Sequence, residues 1–432
     1  MQPAPPAPQP VPPTAQPVTP PAATPVTPPR VAVLADDLTS AGDGAAPFRR
    51  GGHPARILLS GSPLAGHGHG PGQGRADEKA DADAEADAEV EADGVLAVDL
   101  GSRLLDEAGA SARTREAARA LSGAGLLLKT VDSTLRGHVA AEIRAAREGS
   151  GRRAVVIAPA FPAEGRTTRD GVQYVRGVRV DESEFARDPA HPVRTADLAR
   201  ILPEAVLVDS GRPELLPELL PRGGVFVCSA ATDADLDRIV AAVPDHRAVL
   251  WVGSPGLAAA LARRHTHPGG DSDAAEELPS AVRPLVAVGS ANPATRRQLA
   301  LLAGERGAVA AVTAGPLEAA PDAVLRILHT PHERRADPAE LTRELAASVA
   351  ALAARAPFDG LVLTGGETAE AVLRALGAHG VDLHDEPEPG IARGTLAGPG
   401  AAARIPVVIK AGGFGDDRAL LRLHALLTRH PG

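Results

Sequence analysis

Cysteine, aromatic residues and lysine are all scarce in this chain. One cysteine, Cys228, occurs in 432 residues, which excludes an intrachain disulfide and any zinc or iron–sulfur centre built on paired cysteines. Its place in the apolar run at 225–228 predicts a packed, unreactive thiol. Aromatic residues make up 2% of the chain, too few to furnish stacking platforms for bases. The net charge of −9 argues further against a nucleic-acid partner. No apolar run approaches the ~20 residues that a membrane-spanning helix needs, so no membrane partner is expected. The N-terminus has no charged segment followed by an apolar one, so no secretory leader is expected and the expected location is cytoplasmic.

Lysine is the informative scarcity. Lys79, Lys129 and Lys410 are the only three among 45 basic residues, the rest being arginine. A surface cation is served equally by either residue, whereas a compact ammonium meeting an oxyanion is not replaced by a planar guanidinium. Lys129 opens the segment KTVDSTLRG at 129–137 and Lys410 opens KAGGFG at 410–415. These two lysines are therefore candidates for the site, unless they only end apolar strands.

Hydrophobic residues reach 44%, mostly Ala, Val and Leu, the composition of a finely divided aliphatic core. A chain this long exceeds one core and predicts two domains. Residues 1–30 are rich in Pro, Ala, Thr and Gln and predict a disordered tail. Residues 61–94 pass from Gly/His into Asp/Glu–Ala repeats with no helical apolar stripe and predict a solvated insertion. Short apolar runs at 31–35, 55–59, 94–99, 125–131, 153–158, 205–209, 224–228 and 248–253 alternate with helical stretches, among them 111–121 and 138–147. This pattern predicts a largely parallel sheet with helices on both faces, an α/β fold. A Gly/Asp/Pro-rich break at 265–283 precedes a second block, 284–432, with strands at 284–290, 360–366 and 405–410 and a helix at 368–376. The first domain is then 31–264.

In open parallel sheets ligands bind beyond the carboxyl ends of the strands. In the first block those ends carry Asp36 and Asp37, then Lys129, Asp132, Ser133, Thr134 and Arg136, then residues 159–168 with Arg166. Paired carboxylates beside Lys and Arg suit a small polyhydroxylated anion, with the cations on its carboxylate and the aspartates on its hydroxyls. One of Asp36 and Asp37 also suits the N-cap of a helix beginning near Leu38. In the second block three apolar strands end in glycine-bearing turns: GSAN at 289–292, GGET at 365–368 and AGGFG at 411–415. Glycine turns that open helices bring backbone N–H groups onto phosphate. Neither a Walker-type G-x-x-x-x-G-K-[ST] nor a dinucleotide G-x-G-x-x-G is present.

The ordered set ADDLT at 35–39, KTVDSTLRG at 129–137, APAFP at 158–162 with GRTT at 165–168, WVGSPGL at 251–257, GGET at 365–368 and KAGGFG at 410–415 resembles the four-carbon acid sugar kinases over about 31–427. The resemblance implies an N-terminal domain for the sugar acid, a C-terminal domain for ATP with Mg²⁺, and phosphoryl transfer to the terminal hydroxyl of a tetronate. It places Asp36, Asp37, Lys129, Asp132 and Arg136 at the acceptor, one of the three aspartates orienting or deprotonating the hydroxyl. Ser290, Gly365, Gly366, Glu367, Thr368 and Gly412 would line the nucleotide, with Lys410 beside them. Ser40, His138, Glu367 and Gly413 stand where members usually carry Gly, Asn, Asp and Asn. VQYV at 172–175 with EFARDP at 184–189 is nearer threonate-type members than those acting on 3-oxo-tetronates. The metal ligands stay open, and a homodimer is the assembly to test. A sugar-acid-binding or regulatory protein of the same architecture without transfer is the rival expectation.

Overall fold

The computed structural model describes residues 28–62, 94–188, 191–209, 211–267, 278–331, 337–398 and 404–428. Most of the expected tail, the expected insertion and the middle of the expected linker lie outside the described residues. Among the described residues, fifteen strands form one sheet. Outward from the middle, the first half contributes Ala55–Leu58, Val95–Asp99, Val31–Ala35, Leu126–Thr130, Val249–Gly253, Ala154–Ala158, Gly224–Cys228 and Ala205–Val208, every neighbouring pair parallel. The second half contributes Gly380–Glu388, Ile391–Ala397, Pro406–Lys410, Gly360–Thr364, Pro284–Val288, Leu325–His329 and Ala308–Ala311. Its first three strands are antiparallel to one another and the rest are parallel.

The central strands are buried on both faces, which is why they read as continuous apolar runs rather than alternating ones. Val31, Val33 and Ala35 join one apolar cluster while Ala32 and Leu34 join another on the opposite face. The first of these clusters also takes Leu285, Ala287, Leu361 and Leu363, so one layer of core runs through both halves. Cys228 is buried within it and burial pushes its thiol up to about 12. No described helix is long and apolar enough to cross a membrane.

Helices follow their strands with small shifts from expectation. The one expected at 111–121 is Glu107–Ala120, because Asp106 caps it and starts it a turn earlier. Those expected at 138–147 and 368–376 are Val139–Ser150 and Gly366–Ala375. Two features escaped the pattern. Residues 166–179 form a small antiparallel sheet of Arg166–Arg169, Val172–Val175 and Val178–Arg179. Its charged residues hide the period of two. The hairpin Gly380–Glu388 and Ile391–Ala397 was missed for the same reason, its Asp, Glu and Arg residues masking the inward Val381, Leu383 and Leu396.

That hairpin joins the two halves. Gly380–Glu388 pairs antiparallel with Ala55–Leu58, in the register Gly380 to Leu58 through Leu383 to Ala55. The parallel strands of the second half therefore enter the sheet with reversed sense. Six strand-to-strand steps separate Val31–Ala35 from Gly360–Thr364, and at roughly 20–25° of twist per step they accumulate about 120–150°. This rotation largely undoes the reversal and brings the carboxyl ends of both sets of strands toward one region.

The join depends on a bare backbone at Gly380, where an added Cβ would stand 2.5 Å from the carbonyl oxygen of Ile57. Gly380→Ala is expected to destabilise the fold by about 1–3 kcal/mol, the usual range for overpacking. Chemical denaturation followed by far-ultraviolet circular dichroism checks this, and an unchanged midpoint would show that the two edges can separate without loss.

Candidate active site

A cavity of about 1060 Å³ opens where these strand ends meet. Its wall holds Asp36, Asp37, Asp132, Ser133, Arg136 and Arg166 from the first half. Ser290, Gly365, Gly366, Glu367, Thr368 and Gly412 come from the second. Residues more than three hundred positions apart are thus brought together. Lys129 and Lys410 do not reach the wall, both being fully buried behind it.

Asp37 caps the helix Leu38–Arg50, its carboxylate accepting from the Ser40 amide at 2.7 Å and from Thr39 Oγ1 at 3.0 Å. Asp36 is left free of capping and faces Arg103 instead, whose Nε donates to its Oδ2 at 2.8 Å. Arg103 also donates to Asp37 and, at 3.2 Å, to Ser40 Oγ. Burial would push the Asp36 carboxyl up, but Arg103 and then Lys129 outweigh it and hold it down at about 2. Arg103 is itself held above its ordinary value, because Asp36, Asp37 and Asp132 outweigh the cost of burial. One guanidinium thus bridges both carboxylates.

The segment after Leu126–Thr130 folds onto its own side chains. Asp132 accepts from the Thr134 amide at 3.1 Å, from Thr134 Oγ1 at 2.9 Å and from Arg136. Burial opposes its ionisation, but Arg136 and Arg103 prevail and hold its carboxyl below the usual range. Arg136 also reaches Asp188 at 3.4 Å and lies 5.4 Å from the Phe185 ring centroid. Its guanidinium is therefore already engaged. Lys129 donates to the Thr130 carbonyl at 2.7 Å and pairs with Glu142 at 2.9 Å, both side chains buried. It supports Asp36 electrostatically from behind.

On the other wall, Gly365 has φ +91 and precedes the helix Gly366–Ala375 without any side-chain cap. A side chain at that φ would be strained, and the first N–H groups of the helix are left to a ligand. Gly366 abuts the first half: a Cβ there would lie 3.4 Å from Thr39 Cγ2 and 3.6 Å from Asp37 Oδ2. Glu367 is exposed on the cavity wall, and partial desolvation there together with Asp37 pushes its carboxyl up. Behind the third glycine turn, the Lys410 ammonium donates to the carbonyls of Phe414 at 2.8 Å, Ala411 at 2.9 Å and Gly412 at 3.5 Å. Burial lowers its pKa from 10.5 to about 8.

Several residues on or behind the wall were not anticipated. Arg103 sits within the 3₁₀ turn Ser102–Leu104 after Val95–Asp99 and carries no motif signal beyond its distance from a strand end. Asp43 sits on the Leu38–Arg50 helix, its carboxyl pushed well above the usual range by burial and then by Glu386 and Asp37. Gln173 of the small sheet is buried and donates to the carbonyls of Ser133 at 2.7 Å and Pro159 at 3.2 Å, pinning two wall loops. Only the fold could reveal those partnerships, since they link distant segments.

The arrangement is a cleft with a helix N-terminus lacking a side-chain cap on one wall and aspartates paired with arginine on the other. Comparison with known proteins agrees. A sugar-binding N-terminal domain model matches residues 31–261 and a nucleotide-binding C-terminal domain model matches residues 285–420. A D-threonate kinase of Bordetella bronchiseptica is 38% identical, over 91% of this chain and 96% of its own length. A 3-oxo-tetronate kinase of Methylobacterium radiotolerans is 30% identical, over 74% of this chain and 83% of its own. A Salmonella typhimurium structure described as a putative tRNA synthase shares the fold, with a TM-score of 0.70 at 21% identity, covering 91% of this chain and 98% of that one. Two family models in this order, with kinases aligned along most of the chain, make it a phosphotransferase acting on an alcohol group and a member of the four-carbon acid sugar kinase family.

Proposed function

We propose that the chain transfers the γ-phosphate of ATP to the terminal hydroxyl of a four-carbon sugar acid, in the cytoplasm, with threonate the substrate of first choice. The carrying observation is the approach of Asp37 to the start of the Gly366–Ala375 helix, where a Cβ added to Gly366 would lie 3.6 Å from its Oδ2, so that a carboxylate of the acceptor wall stands near the uncapped N–H groups of the other. A nucleotide phosphate on those N–H groups would face the hydroxyl that Asp37 orients. Threonate is preferred because the relative from Bordetella bronchiseptica, matched over nine-tenths of this chain, is named as acting on it. Erythronate and 3-oxo-tetronates are the alternatives within the class. A protein that binds the acid without transfer is less well supported, since it would have no use for a helix end open toward Asp37.

Magnesium fits the same place. Glu367 carries no ion pair among the described residues and its carboxyl is destabilised in the charged form by partial desolvation and by Asp37. A divalent cation beside Glu367 and Asp37 would relieve that repulsion and, when bound, neutralise charge on the phosphate oxygens. Phosphoryl transfer asks little covalent chemistry of the protein, so positioning dominates. Asp37 orients the acceptor and accepts its proton, Arg103 fixes Asp37 and Asp36, and Asp132 with Arg136 shapes the opposite side. Incubating the protein with ATP, Mg²⁺ and a panel of tetronates while following ADP tests the proposal. ADP release independent of any acid acceptor would overturn it.

Asp37→Asn separates the capping role from the charged one, because Asn caps a helix as well as Asp does. Turnover is expected to fall about 100-fold or more, the scale of a lost general base, with the thermal midpoint nearly unchanged. Stopped or steady-state assays beside a melting curve decide it.

Lys410 yields a pH prediction. Protonated, it has three N–H donors for three turn carbonyls; above about pH 8 it loses one. The KM for ATP is therefore expected to rise as pH increases through about 8, while the KM for the acid acceptor changes less. Lys410→Arg, which cannot fit a buried ammonium site without moving the turn, should raise the ATP KM at every pH and remove that inflection.

A further inference from the structure

The arginines around the cavity differ in how fully they are already paired. Arg103 serves Asp36 and Asp37, Arg136 serves Asp132 and Asp188, and Arg296 donates to Thr330 at 2.8 and 3.0 Å. Turning Arg103 or Arg136 onto a substrate would strip a buried carboxylate of its counter-charge, a costly exchange. Two wall arginines are not so committed. Arg166 has one contact, to Glu164 at 3.3 Å, and its buried Nε has no partner among the described residues. Arg176 lines the cavity, is exposed, and its guanidinium has no ion-pair or hydrogen-bond partner among the described residues.

The backbone places these two together. Val175 pairs with Val178, so Arg176 and Gly177 form a two-residue turn, with φ +49 and +83. Val175 also faces Arg166 across the neighbouring strand, and the Arg176 amide donates to the Gly165 carbonyl at 2.7 Å. Hairpin turns with positive φ at both positions favour Asn-Gly or Gly-Gly, since a left-handed backbone is disfavoured for a long side chain. Arginine at Arg176 is locally the wrong residue for its turn. Strain of this kind persists where the side chain is used.

We propose that Arg176 is a specificity-determining residue that, with Arg166, takes the carboxylate of the four-carbon acid. The inference rests on the sugar-acid kinase function proposed above and assigns the residues that distinguish an acid from a neutral sugar. A guanidinium offers paired donors matched to the two oxygens of a carboxylate. Arg166, at the start of one strand, and Arg176, in the turn that follows the neighbouring strand, would supply them from one small sheet, which Gln173 ties to the loop of Ser133. The carboxylate end of the substrate then lies on this sheet and its terminal hydroxyl points toward Asp37.

The test is Arg176→Asn, a substitution that removes the cation and relieves the turn. The KM for the tetronate is expected to rise about tenfold or more, the consequence of losing a charge-assisted contact, with the ATP KM unchanged and the thermal midpoint equal or higher. Inhibition by the corresponding neutral tetritol should be unaffected, and Arg176→Lys should recover part of the loss. Arg166→Gln measured in parallel should raise the same KM. Unchanged tetronate kinetics in Arg176→Asn, or an ATP KM that rises with the acceptor KM, would overturn the assignment. Wild-type protein that phosphorylates no tetronate would overturn the kinase proposal itself, a result distinct from both.

Discussion

Everything at the site depends on one edge-to-edge pairing, Gly380–Glu388 against Ala55–Leu58. Two open sheets in one chain would ordinarily present their binding edges independently, joined only by a linker. Here a hairpin closes the gap, and ion pairs reinforce it: Arg56 with Asp382 across the pairing, and Arg50 with Glu386 from the helix that Asp37 caps. Pairs this close to solvent contribute little each. The stiffness comes from backbone hydrogen bonds and from the apolar layer shared by both halves. The site is consequently a property of the whole sheet, which sets Asp37 beside Gly366.

Charge at the acceptor wall follows a similar economy. Isolated aspartates as deeply buried as Asp36 would take up protons, and two adjacent ones would repel each other. Arg103 resolves both problems by bridging the pair, and the buried Lys129–Glu142 pair adds positive potential behind Asp36. Asp43, one turn further along the same helix than Ser40, has no ion pair among the described residues, and burial, then Glu386 and Asp37, push its carboxyl up. The contrast between Asp36 and Asp43 is set by which of them a guanidinium can reach.

The parallel core was legible because strands buried on both faces leave unbroken runs such as those of Val31–Ala35 and Val249–Gly253. The wall residues were legible for a related reason: parallel strands align their carboxyl ends, so polar clusters following apolar runs had to converge. What could not be read were contacts between segments distant in sequence and rich in charge. The joining hairpin offers Asp382 and Glu386 in positions where an isolated reading sees a solvated loop, since the residues that neutralise them, Arg56 and Arg50, lie over three hundred positions away. Arg103 was hidden likewise, because nothing local marks an arginine as the counter-ion of two aspartates more than sixty residues earlier.

The two lysines expected to meet a ligand lie instead behind the residues that line the cavity. Their rarity marked them as irreplaceable by arginine, and both are fully buried at strand ends beside the cavity. Neither ammonium faces it. Lys129 holds a carbonyl and Glu142 under the acceptor loop; Lys410 gathers the carbonyls of a glycine turn that has no side chains to hold itself. Inward-pointing carbonyls leave the amides of a turn to point outward, and outward amides are what a phosphate requires. A compact ammonium is suited to that space, whereas a guanidinium needs a planar slot that the turn does not provide. Selection against arginine can therefore act one layer behind the ligand, through the shape of the backbone that meets it.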